Sequence, residues 1–227
     1  LSVIRGTIEK TRADIVIFNY YNRYEPEFTT SVAEPVFADQ TVFFGDGKEA
    51  VYREMIASWR LNNLCTKAIR TTLVRNDDTP YEDYADNPHT EDLLQSLYPV
   101  THAETIVYCA SPLYNYRRIN ESISTRVLPG KIEKQFNDAV MAQLRRYMTI
   151  WGLDKKDALE RYHARKLNGL ITLFWQHYRA AATEEEKREV LNYPWDAHID
   201  AEDRRYINSA ALTYMRRAQL RAILKKN

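Results

Sequence analysis

The sequence is short of the residues that staple or punctuate a chain: 227 residues include two cysteines, six glycines and eight prolines. Cys65 and Cys109 are far apart, so neither a disulfide framework nor a four-thiol zinc site can be built, and a reduced compartment is expected. Few glycines leave little room for a phosphate-cradling loop, and no G-x-S-x-G elbow or kinase signature occurs. No apolar run reaches the roughly 18 residues of a membrane span, and no basic-then-apolar leader opens the chain. The five histidines are scattered, without the two-histidine spacing of a metal site. A net charge of +1 removes the electrostatic case for nucleic acid.

What is present is a globular composition: 44% hydrophobic, 12% aromatic, 28% charged, with mean hydropathy −0.55. That length suits one ample domain or two small ones, and solubility is expected. The overall charge hides a division, because residues 1–130 carry 13 basic against 18 acidic side chains and residues 131–227 carry 19 against 13. The chain opens at Leu1 inside a helical pattern, so further chain upstream is expected.

The patterning predicts an α/β region followed by helices. Ile15 to Tyr21 is an unbroken β-branched and aromatic run, the signature of a strand buried on both faces. Residues 24–40 are rich in Pro, Glu, Thr and Ser; Thr41 to Phe44 reads as a short strand and Glu49 to Ser58 as a helix. Residues 60–75 are ambiguous, and Arg75 to Pro88 is a loop by composition. Thr90 can cap a helix from Glu91 to His102, followed by strands at Thr105–Cys109 and Leu113–Arg117. After Pro129-Gly130, helices are predicted over 131–150, 155–181, 183–191 and 201–225. The last places Ile207, Ala211, Tyr214, Ala218 and Ala222 on one stripe.

Three constellations could carry chemistry. Thr90-Glu91-Asp92 places two carboxyl groups at a helix start, where one could take a proton from a sugar hydroxyl; the same pattern is also ordinary helix capping. Pro112 to Ser124 contains Arg117 and Arg118 beside hydroxyls and amides, fit for a phosphate or carboxylate or simply for solvent. Trp59 to Lys67, with Asn62 and Asn63 between, has the aromatic, amides and cation of a carbohydrate-binding edge, although Trp59 could equally serve a core.

Taken in order, these segments resemble the C-terminal portion of a family 2 glycosyltransferase of the GT-A fold. The resemblance covers roughly residues 1–126: Ala13 to Tyr21, Asn63-Leu64-Cys65-Thr66-Lys67, Thr90-Glu91-Asp92-Leu93-Leu94, Pro112 to Arg117, and Asn120 to Ser124. It implies a mixed sheet with flanking helices over 1–128, the acceptor side of a glycosyltransferase domain, and leaves 131–227 as an all-helical domain. It further implies transfer of a sugar from a nucleotide diphosphate sugar to a carbohydrate or lipid-linked acceptor, with inversion, in surface or exopolysaccharide synthesis. Asp92 would be the catalytic base and Glu91 a neighbouring or orienting carboxylate. Asn63 and Lys67 would line the acceptor or donor edge, with Arg117 toward the leaving diphosphate. The family's divalent metal, Mn or Mg, would find its ligands outside this chain, since the Asp-x-Asp motif and nucleotide-binding half have no counterpart here. This chain alone is therefore expected to be inactive. A cytoplasmic location is expected, extending to the inner membrane face if the basic last helix meets anionic lipid, with homo-oligomerisation an open option. The rival reading is a non-catalytic carbohydrate-binding or scaffold module.

Overall fold

In the computed structural model, which describes residues 1–24, 29–84, 91–118, 132, 136 and 138–224, the apolar run after Asp14 becomes β1 (Ile15–Tyr24) at the middle of a mixed sheet. Its parallel neighbour is β5 (Thr105–Arg118), and β3 (Thr41–Phe44) runs antiparallel along the far side of β5. On the other side of β1, β4 (Lys67–Ile69) pairs with its beginning and β2 (Thr29–Val32) with its end, both antiparallel. The chain is thus an α/β protein with a five-stranded mixed sheet and many helices.

The predicted strands at 105–109 and 113–117 are one strand. Pro112 lacks the N–H a regular ladder needs, and it sits where the register slips, opposite Asn19. The segment expected to be irregular over 24–40 contains β2, whose four residues are all exposed and so carry no apolar alternation to betray a strand. The ambiguous 60–75 resolves into a 3-10 turn, β4 and the short helix α3 (Thr71–Arg75).

One sheet face carries α1 (Ser2–Thr11) over Val16, Phe18, Val107 and Cys109. The other carries α2 (Glu49–Ala57) and α4 (Glu91–His102), whose Leu93, Leu94, Leu97 and Val100 meet Ile15, Ile17 and Ile106. Val140, Met141, Leu144 and Met148 of α5 (Asp138–Ile150) and Tyr162 of α6 (Lys156–Ala180) join this same core, so the helical region begins inside it. A second core gathers Ile171, Phe174, Trp195, Leu212, Leu220 and Ile223 around α6, α7 (Glu184–Asn192) and α9 (Tyr214–Leu224).

The helix expected over 201–225 is broken. It comprises α8 (Ala201–Arg205), a turn around Tyr206 to Asn208, and α9. Arg217 Nη1 donates to the Ser209 carbonyl and Arg221 to the Asn208 amide oxygen, which stabilises the break. The break buries Leu220 and Ile223 and leaves Ala211, Ala218, Ala222 and Tyr214, the last 80% exposed, facing outward, while Ile207 of the expected stripe packs against the second core. Thr90, Asn120, Glu121, Ser122 and Ser124, and residues 225–227, lie outside the described residues. Among the described residues no helix is long and apolar enough to cross a membrane.

Candidate functional site

The site grows from the chain between α2 and β4. Ser58 leaves helical geometry, Asn62 N–H bonds the Trp59 carbonyl, and the segment returns to the sheet at Lys67 beside Ile17. Lys67 holds this bend from inside: its Nζ donates to the carbonyls of Leu61 (2.6 Å), Asn62 (3.2 Å) and Asn63 (2.8 Å). Burial pushes the ammonium down to about 8, and the nearby Asp92 and Cys65 pull it back upward. With its three bonds made inside the chain, Lys67 shapes the edge and supplies a positive charge behind it.

Asp92 enters on the first turn of α4, which faces this bend; Ser96 Oγ on the next turn bonds the Asp92 carbonyl at 2.7 Å. Asp92 is half-buried and within electrostatic reach of Lys67, Cys65 and Tyr114. Cys65 and Tyr114 hydrogen-bond each other, and burial together with the Asp92 charge holds the Cys65 thiol above its ordinary value. Glu91 is exposed beside Asp92. The structure therefore brings Asp92, Lys67, Cys65 and Tyr114 to one place, alongside the stretch of β1 from Ile17, which pairs with Lys67, to Tyr20, which pairs with Tyr114, midway along the two parallel strands.

The remaining expected residues lie around this group. Trp59 is 40% exposed; one ring face stacks on the Arg165 guanidinium of α6 at 4.1 Å. Arg165 is itself buried, bonding the Met55 carbonyl and, at 3.2 Å, Asn62 Oδ1, and burial lowers it to about 9. Trp59 is thus divided between packing on α6 and facing solvent. Asn63 is half-buried, with its carbonyl accepting from Lys67 and Thr66. Arg117 falls on the opposite face of the sheet from Tyr116 and Arg118, because neighbours on a strand alternate.

Beside this group lies a cleft of about 320 Å³, lined by Asn19, Tyr20, Asn22, Arg60, Thr66 and Tyr108 among others. Asp92 does not line it. The two are joined by the 59–67 segment, which gives Arg60 and Thr66 to the cleft and Cys65 to the Asp92 group. Arg60 donates to the Pro35 carbonyl at 2.7 Å, and the Tyr108 hydroxyl accepts from Val36 N–H at 2.9 Å, so the 33–36 strap forms one wall. Arg60, Asn19, Tyr20 and Cys65 lie inside the segments singled out in the sequence but were given no role there, although Arg60 adjoins Trp59 and Cys65 stands two residues before Lys67.

Among the described residues no three His, Cys, Asp or Glu side chains come together to hold a metal, and this donor set does not fit the Mn or Mg ion implied by the resemblance. Comparison of the chain with protein-family models, with curated proteins and with solved structures finds no match.

Proposed function

We propose that this chain forms the acceptor side of an inverting sugar-transfer site, as part of a GT-A-like family 2 glycosyltransferase in surface or exopolysaccharide synthesis. The reading is carried by one observation: the start of α4 sets Asp92 beside Lys67, Cys65 and Tyr114, midway along β1 and β5. A carboxyl group placed there can take the proton of an acceptor hydroxyl as its oxygen bonds to the anomeric carbon. The bond from that carbon to the nucleotide diphosphate breaks on the opposite side, and its electron pair departs with the diphosphate. Lys67 acts through position, fixing the bend that carries Cys65 and Asn63. Glu91, exposed beside Asp92, can orient the acceptor.

The test is sugar transfer by the intact protein, meaning this chain joined to the donor-binding half that the resemblance requires, from a panel of uridine and guanosine diphosphate sugars to oligosaccharide acceptors. Asp92→Asn should lower turnover by about 10²- to 10⁴-fold, the usual contribution of a general base, and leave acceptor binding intact. Near-normal transfer by this variant would refute the assignment.

A further inference from the structure

Beyond the cleft, the ends of β1 and β5 continue together as a ribbon. From Tyr20 opposite Tyr114 to Tyr24 opposite Arg118 the parallel register is regular, so each matched pair shares a face. One face then carries Tyr20, Asn22, Tyr24, Tyr114, Tyr116 and Arg118. The contacts agree: Tyr116 lies 5.8 Å from Tyr20 and 6.4 Å from Tyr114, ring centre to ring centre. Arg118 stacks on Tyr116 at 4.3 Å and donates to Asn22 Oδ1 at 3.0 Å. This is the cleft's side of the sheet, since Tyr20 and Asn22 line the cleft and Tyr114 reaches Cys65.

We propose that this face is a saccharide-binding platform, taking an oligosaccharide that lies along the ribbon with one end at the Tyr114–Cys65–Asp92 group. Pyranose rings present apolar C–H faces and a girdle of hydroxyls, which calls for flat aromatic rings set among amide, phenol and guanidinium groups. The face holds both, and none of its rings is sealed in a core. Same-face residues on a strand are about 6.6 Å apart, so Tyr114 to Arg118 spans about 13 Å, room for two or three sugar units. Tyrosine platforms also stack nucleobases, but those sit in strongly basic grooves. Here Arg118 is already bonded to Asn22, and Arg60 in the cleft to the Pro35 carbonyl. Only the polarity of the bound chain, with its growing end at Asp92, rests on the transferase reading; the binding does not.

The experiment presents the intact protein to an array of bacterial surface oligosaccharides, then maps the tightest ligand by amide-resolved NMR. The expected result is binding that strengthens from monosaccharide to trisaccharide and then levels off, with shifts concentrated at Tyr20, Asn22, Tyr114 and Tyr116. Tyr116→Ala and, at the exposed strand end, Tyr24→Ala should each weaken it about tenfold. Tyr214→Ala, on α9, should leave it unchanged. Capture of no array member, shifts confined elsewhere, or preferential binding of a thymidine oligonucleotide on this face would overturn the platform. Glycan binding without any sugar transfer would overturn the transferase reading and leave the platform standing. Equal transfer to mono- and oligosaccharide acceptors with no array binding would do the reverse.

Discussion

In the sheet region Lys48 and Lys67 are buried among backbone carbonyls, Lys48 on Thr101 and Ala103 at the end of α4 and Lys67 on Leu61, Asn62 and Asn63. In the helical region Lys166 and His163 are instead held against one buried carboxyl group, Asp203, at 2.7 and 2.6 Å. His163 also stacks on Tyr206, so that cluster ties α8 and the following turn to α6. A cation bonded to carbonyls fixes the shape of a bend, whereas one bonded to a carboxyl group fixes how two elements dock. The first kind matters where a site needs a defined backbone. The second matters for holding a helical bundle together.

Asp203→Ala should produce the largest effect, because it removes the 2.6 Å partner of buried His163 and leaves half-buried Lys166 with Asp200 at 3.5 Å. Removing one partner of a buried ionic cluster costs about 3–5 kcal/mol, read as a lowered urea midpoint. A loss within the range of an exposed substitution would mean that the cluster does not dock α8.

Lys67→Met should cost less, about 1–3 kcal/mol, because the Leu61 carbonyl loses its donor and the Asn62 and Asn63 carbonyls are left with Ser96 and Thr66. Amide exchange should speed up at residues 61–66, whereas Lys48→Met should speed it at residues 101–103. Identical exchange patterns would erase the distinction between the two lysines. The Lys67 contribution is also pH-dependent. Burial holds the folded-state ammonium down to about 8 against an ordinary 10.5, so the unfolded chain keeps this proton to higher pH. The unfolded state then binds more protons across that window, and stability from this group rises as pH climbs through it. Wild type should therefore gain stability relative to Lys67→Met from about pH 8 to about pH 10.5.

The smallest expected effect joins the two regions. A Cβ at Gly169 in α6 would meet the Trp59 ring at 3.7 Å, an ordinary contact. Gly169→Ala should thus raise stability by about 0.5–1 kcal/mol through helix propensity alone. A loss would show that Trp59 needs closer access to α6 than the static geometry implies.

Elements with a strong local signal were legible in the sequence. The β-branched run of β1 and the leucine spacing of α4 each specify period and burial together. β2 has no buried face, so its pairing comes from β1 alone. The break after α8 depends on arginines of α9 reaching back to Asn208 and Ser209, a contact between turns that periodicity cannot register. At the site, Asp92 and Lys67 stood out as residues, but their convergence with Cys65 needs the fold. Arg165, more than a hundred residues from the Trp59 ring it stacks on, gave no local clue at all.

The most direct measurement compares sugar transfer by the intact protein and by Asp92→Asn, with oligosaccharide binding measured on the same preparations. The expected result is turnover reduced by about 10²-fold or more with binding retained. Transfer at the wild-type rate in Asp92→Asn would contradict the role given to the start of α4.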